Sequence, residues 1–239
     1  MNVILNHETQ VIDLGLMDYH QAWDYQANLH NSIIQIKKQN RSLSVNNQVQ
    51  TKNYLLFCEH PAVYTLGKSG DEKNLLIDKE KLTSIGTSLV HTNRGGDITF
   101  HGPGQLVVYP VIDLENFFTD IHRYMRLLEE AVIQTLKSFS LDSGRIDGLT
   151  GVWIDPENIH AVRKICALGV RTSRWVTMHG LALNINTDLR FFDYIVPCGI
   201  SDKTVTSLEK ELGQKQNMEE VKRILRMQLA RLFDMKMIP

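Results

Sequence analysis

YLLFC at 54–58, AVYTLG at 62–67, SLVHT at 88–92, DITF at 97–100 and QLVVYPVIDL at 105–114 are short runs rich in β-branched and aromatic residues. Between them stand His60-Pro61, Gly67-Lys68-Ser69-Gly70 and Gly102-Pro103-Gly104, residues that interrupt a helix and favour turns. A sheet is built here. Downstream, RIDGL (145–149), GVWI (151–154), KICALGVR (164–171) and TMHGLALNI (177–185) extend it, and a short apolar run at Val11–Leu14 precedes it. Three segments have helical spacing instead. Asp18 followed by Gln21 reads as a cap opening a helix to about Lys38, with Trp23, Ala27 and Ile33 on one face. Ile121, Met125, Leu128, Val132 and Leu136 form one apolar stripe, and a last helix opens at Asn217 with Glu220, burying Val221, Leu225 and Leu232. The polar stretch Gln39–Lys52 reads as a loop. Strands and helices are partly segregated and hairpin-like turns dominate, so the class is α+β, a mixed, largely antiparallel β-sheet packed by helices. No repeat or low-complexity segment is present.

A chain of 239 residues with 43% hydrophobic and 22% charged residues can bury one large core. One domain is expected over 1–239, an N-terminal strand and helix in 1–50 leading into a core of about 51–235. Lys plus Arg number 26 against 27 Asp plus Glu, so no global basic field points to nucleic acid or an anionic membrane. MNVILNHETQ reaches His7 and Glu8 too soon for a signal-peptide core, and no apolar run approaches the roughly 20 residues that span a bilayer. The expected location is the cytoplasm. Cys58, Cys166 and Cys198 form no C-x-x-C pair, which argues against a disulfide framework or a structural zinc site.

Three clusters could carry chemistry. Arg94-Gly95-Gly96-Asp97-Ile98-Thr99-Phe100-His101, continuing to Gln105, has glycines that let a ligand approach the main chain beside Arg94 and His101; a pair of plain hairpin turns is the bland alternative. Gly67-Lys68-Ser69 mimics only the tail of a P-loop, because Ala62 stands where its first glycine belongs. In the second cluster, strand alternation places Lys164, Cys166 and Leu168 on one face. Apolar neighbours could desolvate the lysine and make it usable as a base, or it could snorkel to water. In the third, Cys198 sits in a turn between Pro197 and Gly199, where a thiol is presented and backbone N–H groups are near; a buried turn thiol is the alternative. Arg163, Arg171 and Arg174 crowd the lysine strand as a local basic patch or as ordinary ion pairs. His60 and His160 read as structural or surface residues.

Together, RGGDITFHGPGQLVVYPVIDL (94–114), KICALGVRTSRWVTMHGLALNIN (164–186) and FFDYIVPCGI (191–200) resemble the signature blocks of the lipoyl(octanoyl) transferase family, within the fold group of lipoate and biotin protein ligases. The resemblance implies that Cys198 is the nucleophile and Lys164 its acid-base partner. It implies an acyl site lined by Arg94–His101, by Ala167, Leu168 and Gly169, and by Gly180, Leu181 and Ala182. The implied donor is octanoyl-acyl carrier protein. The implied acceptors are the lipoyl domains of 2-oxoacid dehydrogenase complexes and the glycine cleavage H protein, with no cofactor and no metal. Cys166 stands where the family usually has a small residue such as Ala, and it ranks second as nucleophile. Rival readings are an ATP-dependent lipoate or biotin ligase, a Cys-His thioester hydrolase using His101 or His179, and a non-catalytic lipoyl-domain binding protein.

Overall fold

The computed structural model describes residues 5–196 and 204–239. Pro197, Cys198, Gly199 and Ile200 lie outside the described residues. Strand β1 (Glu8–Leu16) leads into helix α1 (Tyr19–Asn40), capped by Asp18, whose carboxylate accepts the His20 and Gln21 N–H groups at 2.9 and 3.2 Å. Next come β2 (Asn53–Glu59), β3 (Val63–Leu66), the short helix α2 (Lys79–Ser84), β4 (Leu89–His91), β5 (Ile98–His101) and β6 (Gln105–Val111). Helix α3 (Ile121–Lys137) precedes β7 (Ser143–Ile146), β8 (Leu149–Ile154), β9 (Arg163–Ser173) and β10 (Val176–Asn184). The chain ends with β11 (Thr204–Val205), α4 (Leu208–Leu212), α5 (Met218–Phe233) and β12 (Lys236–Ile238).

The main sheet runs β12-β1-β2-β6-β10-β9-β8-β7, with β11 added against β9, and a separate small sheet runs β4-β3-β5. Pairings from β2 through β6, β10, β9 and β8 to β7 are antiparallel, whereas β12-β1, β1-β2, β9-β11 and β3-β4 are parallel. The class is α+β with a mixed, largely antiparallel sheet. Alternation along β2 and β6 divides the interior. Leu55, Phe57, Leu106 and Val108 join α3 and α5 on one face, and Leu56, Cys58, Val107 and Tyr109 join α1 on the other. A third cluster under the small sheet gathers Tyr64, Leu66, Ile98 and Phe100.

The sequence reading needs correction at four places. The buried face of α1 carries Ala22, Gln26, His30 and Ile33, while Trp23 and Ala27 are only half-buried. Gln26 is inside because its Oε1 accepts the His179 N–H at 3.0 Å, a polar reason that apolar periodicity does not register. RIDGL is not one strand: Ile146 pairs with Leu149 across Asp147-Gly148, a two-residue hairpin with Gly148 at φ +77°. The small sheet is split from the main one. Finally, β9 and β10 are joined by Arg174-Trp175, both at positive φ (52° and 64°) with no glycine to announce the turn. Among the described residues, no helix is long and apolar enough to cross a membrane.

Candidate active site

A cavity of about 530 Å³ lies between the β9-β10 face, the loop into β5 and the start of α1. Its floor is made by what is missing. Ala167 pairs with Ala182 and Gly169 with Gly180 across the two strands, and all four border the cavity. The intervening Leu168 and Leu181 have side chains in or against the main core and also edge the cavity. The wall comes from Arg94, Gly95, Gly96, Asp97, Ile98 and Thr99 with His101. This loop docks directly on the floor: the Gly95 N–H donates to Val170 O at 2.9 Å. A Cβ at Gly169 would lie 2.8 Å from Gly95 O and 3.2 Å from Arg94 Cδ, so the approach requires glycine there.

Of the sequence-predicted lining, Phe100 is placed elsewhere. Alternation along β5 turns it from His101's side, and its ring stacks on Phe191 at 4.6 Å in the third core cluster, 1% exposed. Sequence reasoning missed other lining residues. Tyr19, Met125, Gly148–Thr150 and Val205 carry no local motif, whereas Gln105, Tyr109 and Asn184 stand within the 94–114 and 164–186 blocks. Ser69 borders the cavity for a reason unrelated to a P-loop: its turn hangs on the glycine loop through Lys68 N–H to Arg94 O (3.0 Å) and Ser69 N–H to Gly96 O (3.2 Å).

Lys164 reaches this cavity through a fault in strand alternation. Val152 pairs with Cys166 and Trp153 with Lys164, so one step on β8 matches two on β9 and Ile165 is the extra residue of a bulge. Ile165 and Cys166 both fall in the main core at 0% exposure, and Lys164 borders the cavity with Ala167 and Gly169. Lys164 and Cys166 therefore do not share a face, contrary to simple alternation. The lysine stem crosses Gly151, where an added Cβ would sit 3.2 Å from Lys164 Cε, and its Nζ lies 4.5 Å over the Trp153 ring. On the other side of Lys164, Val205 of β11 is its sheet partner, and the Thr206 N–H donates to Lys164 O at 2.9 Å.

Cys166 is poorly placed for nucleophilic work. Burial pushes its thiol well up, and the Glu129 carboxylate adds to the effect. Burial likewise pushes the Cys58 thiol up to about 12. Arg163 belongs to a structural bracket, with Nη1 to Asp155 and Nη2 to Glu211 at 2.5 Å each, which accounts for it as an ordinary ion pair.

The cavity's histidines are neutral. Burial, then His60 and the Arg94 guanidinium, hold His101 down to about 3; burial, then Arg94 and Arg171, hold His179 down to about 3. Arg94 is itself 8% exposed and donates to Thr65 O (2.7 Å), Thr65 Oγ1 (2.9 Å) and Gly95 O (3.0 Å). His101 Nδ1–H donates to Gln105 Oε1 at 2.7 Å, and its Nε2 is 3.3 Å from the Thr65 hydroxyl, so both nitrogens are engaged within the protein. His179, at φ +61°, donates from Nε2 to Asn93 Oδ1 at 2.7 Å. His60 is fully buried, its Nδ1–H on Met17 O at 2.7 Å and its Nε2 accepting the Tyr109 hydroxyl at 2.6 Å, whereas His160 is exposed. Among the described residues, no group of three or more His, Cys, Asp or Glu side chains is placed to hold a metal ion.

The family model of the lipoyl protein ligase A/B catalytic domain matches residues 18–230. An octanoyltransferase of Cytophaga hutchinsonii is 56% identical over 230 residues, 96% of this chain and 94% of that protein. One of Christiangramia forsetii is also 56% identical over 230 residues, 96% of this chain and 97% of that protein. Among solved structures, the bipartite lipoate protein ligase of Thermoplasma acidophilum, described with its E2 lipoyl domain, superposes with a TM-score of 0.68 at 19% identity, covering 98% of this chain and 88% of that one.

Proposed function

This chain belongs to the octanoyltransferase family, and from that premise we propose that it moves octanoyl from acyl carrier protein, through a thioester on Cys198, to the acceptor lysine of lipoyl domains. The observation that carries the reading is the position of Lys164, turned by a bulge into a cavity floored by alanine and glycine, beside the strand that follows the Cys198 segment. Cys198 stands six residues before Thr204 (204 − 198), and six residues of chain span at most about 20 Å. That length of chain permits Cys198 to meet Lys164, whose sheet partner is Val205.

The chemistry needs no external activation, because the donor is already a thioester. Cys198 Sγ attacks the thioester carbonyl carbon, its proton passes to Lys164, and the C–S bond to the carrier breaks as Lys164 returns the proton to the leaving thiolate. In the second half the acceptor lysine amine attacks the same carbon. A C–N bond forms, the Cys198 C–S bond breaks, and the amine's proton goes through Lys164 to the thiolate. The amide is more stable than the thioester, so transfer runs forward. Arg94–Thr99, Ala167–Gly169 and Gly180–Ala182 are assigned to the acyl chain, each buried methylene contributing about 0.8 kcal/mol. Lipoyl domains of 2-oxoacid dehydrogenase complexes and the glycine cleavage H protein are the proposed acceptors.

A Cys-His hydrolase has less support: both ring nitrogens of His101 are already bonded within the protein, and His179, whose Nε2 is on Asn93 Oδ1, is a weak base because burial holds it down to about 3. Intact mass spectrometry after mixing with octanoyl carrier protein tests the proposal. An octanoyl mass gain on the Pro197–Ile200 peptide is expected, kept in Cys166→Ser and lost in Cys198→Ser. Lys164→Met should slow acylation about 100-fold or more. Transfer that requires ATP and free octanoate, with no adduct on Cys198, would sink it in favour of an adenylating ligase.

A further inference from the structure

The chain on either side of the Cys198 segment is tied to one wall of the cavity. Upstream, the Val196 N–H donates to Asn74 O at 2.8 Å, and Asn74 Nδ2 donates to Asp97 Oδ2 at 2.6 Å. The other Asp97 oxygen accepts the Ile98 N–H at 2.7 Å, so the carboxylate is fixed in the cavity wall. Downstream, Asn184 Nδ2 donates to Thr206 O at 3.0 Å, Gln105 Nε2 donates to Asn184 Oδ1 at 2.9 Å, and His101 Nδ1–H donates to Gln105 Oε1 at 2.7 Å. Gln105, Asn184 and Thr206 are 2%, 4% and 0% exposed, so none of these groups can exchange its partner for bulk water.

The downstream chain has only one direction. A backbone carbonyl can only accept, so Thr206 O fixes which end of the Asn184 amide faces it. That amide then orients Gln105, and Gln105 in turn places the proton of His101 on Nδ1. Thr206 also donates its N–H to Lys164 O. The end of the wall loop at His101 is thereby wired to the backbone of the lysine strand and to the point where the chain carrying Cys198 re-enters the sheet.

We infer that Asn74 and Asn184 are positioning residues for Cys198, holding the two flanks of its segment against the wall of the acyl cavity. The inference rests on Cys198 being the nucleophile. Asn184 borders the cavity, but Asn74 lies outside it, as the half-buried last residue of an otherwise exposed turn at 72–74, so Asn74 acts without touching the acyl chain.

The test compares Asn74→Ala and Asn184→Asp with the parent enzyme in single-turnover acylation by octanoyl carrier protein, with thermal melts to establish folding. Asn184→Asp keeps the acceptor for Gln105 and removes the donor to Thr206 O. The saturating rate of Cys198 acylation should fall about tenfold to a hundredfold, while the half-saturating donor concentration stays within about twofold. Folded variants that acylate within about twofold of the parent rate overturn the inference. So does a raised half-saturation with an unchanged saturating rate, which would make these residues binding groups. Asn74→Ala keeps the test decisive if Asn184→Asp fails to fold. Absence of any Cys198 adduct in the parent enzyme would overturn the nucleophile assignment itself, a result separable from slow acylation confined to the variants.

Discussion

Mild acid should destabilise this protein through two buried imidazoles. His101 and His179 are held to about 3 in the fold, against 6.5 for an ordinary histidine. Each ring stays neutral while folded and takes up a proton on unfolding once the pH falls below about 6.5, so the stability is complete above that value and declines below it. At one proton per ring, moving from about pH 7.5 to about 5.5 removes about 1.4 kcal/mol for each histidine, about 3 kcal/mol for the pair. That is a large share of the roughly 5–15 kcal/mol typical of a domain. His60 and His30 are also held low by burial and add in the same direction. Carboxylates held low by partners, such as Glu211 beside Arg163, act below their ordinary 4.5 and stay outside this window. Urea unfolding at the two pH values, followed by circular dichroism, gives the difference directly. In His101→Gln or His179→Gln the pH-dependent loss should shrink by about 1.4 kcal/mol, whatever the variant does to absolute stability. A parent protein equally stable at both pH values, or variants with the parent's pH slope, would refute the reasoning.

Three further outcomes follow from the packing. Ala167→Leu should fill the floor opposite Ala182 and lower the octanoyl-to-hexanoyl acylation ratio about tenfold; an unchanged ratio would remove that floor from chain-length selection. Glu129 is 0% exposed, accepts the Gly151 N–H at 3.0 Å and pairs with Arg145 at 3.1 Å, so Glu129→Ala should cost about 3–5 kcal/mol in urea unfolding. Gly151→Ala would put a Cβ 2.9 Å from Cys166 O and 3.2 Å from Lys164 Cε at φ +132°, and should slow acyl transfer about tenfold or more in a protein that still folds.

Much of the architecture is legible in the chain because it depends on short-range pattern. The stripes at Ile121–Leu136 and Val221–Leu232 become α3 and α5, and the cap residues Asp18 and Asn217 stand where their helices begin. The features that shape the site are legible only in part, since they depend on partners distant in sequence. Gln26 looks like a surface position on α1 until the N–H of His179 needs an acceptor. The extra residue at Ile165 has no marker, because Lys164-Ile165-Cys166 satisfies simple alternation and only pairing with β8 exposes the fault. Arg174-Trp175 hides a turn because two exposed non-glycine residues take the positive φ that glycine would have signalled, held by the Ser173–Val176 pairing and by the Leu114 N–H on Trp175 O at 2.8 Å. The wall loop was visible as a glycine cluster, but Phe100 faces away from the cavity because a strand of four residues has two sides.

The floor of paired Ala167-Ala182 and Gly169-Gly180 has a thermodynamic consequence. Larger side chains on facing strands clasp a sheet from above, and here that clasp is absent at the two alternate rungs that face the cavity. The interior is thus one layer short on this face, and under the proposed function the octanoyl chain would supply the missing layer, a piece of the core that arrives after synthesis. A loaded protein should then melt at a higher temperature than an empty one, each turnover finishing and unfinishing the same fold.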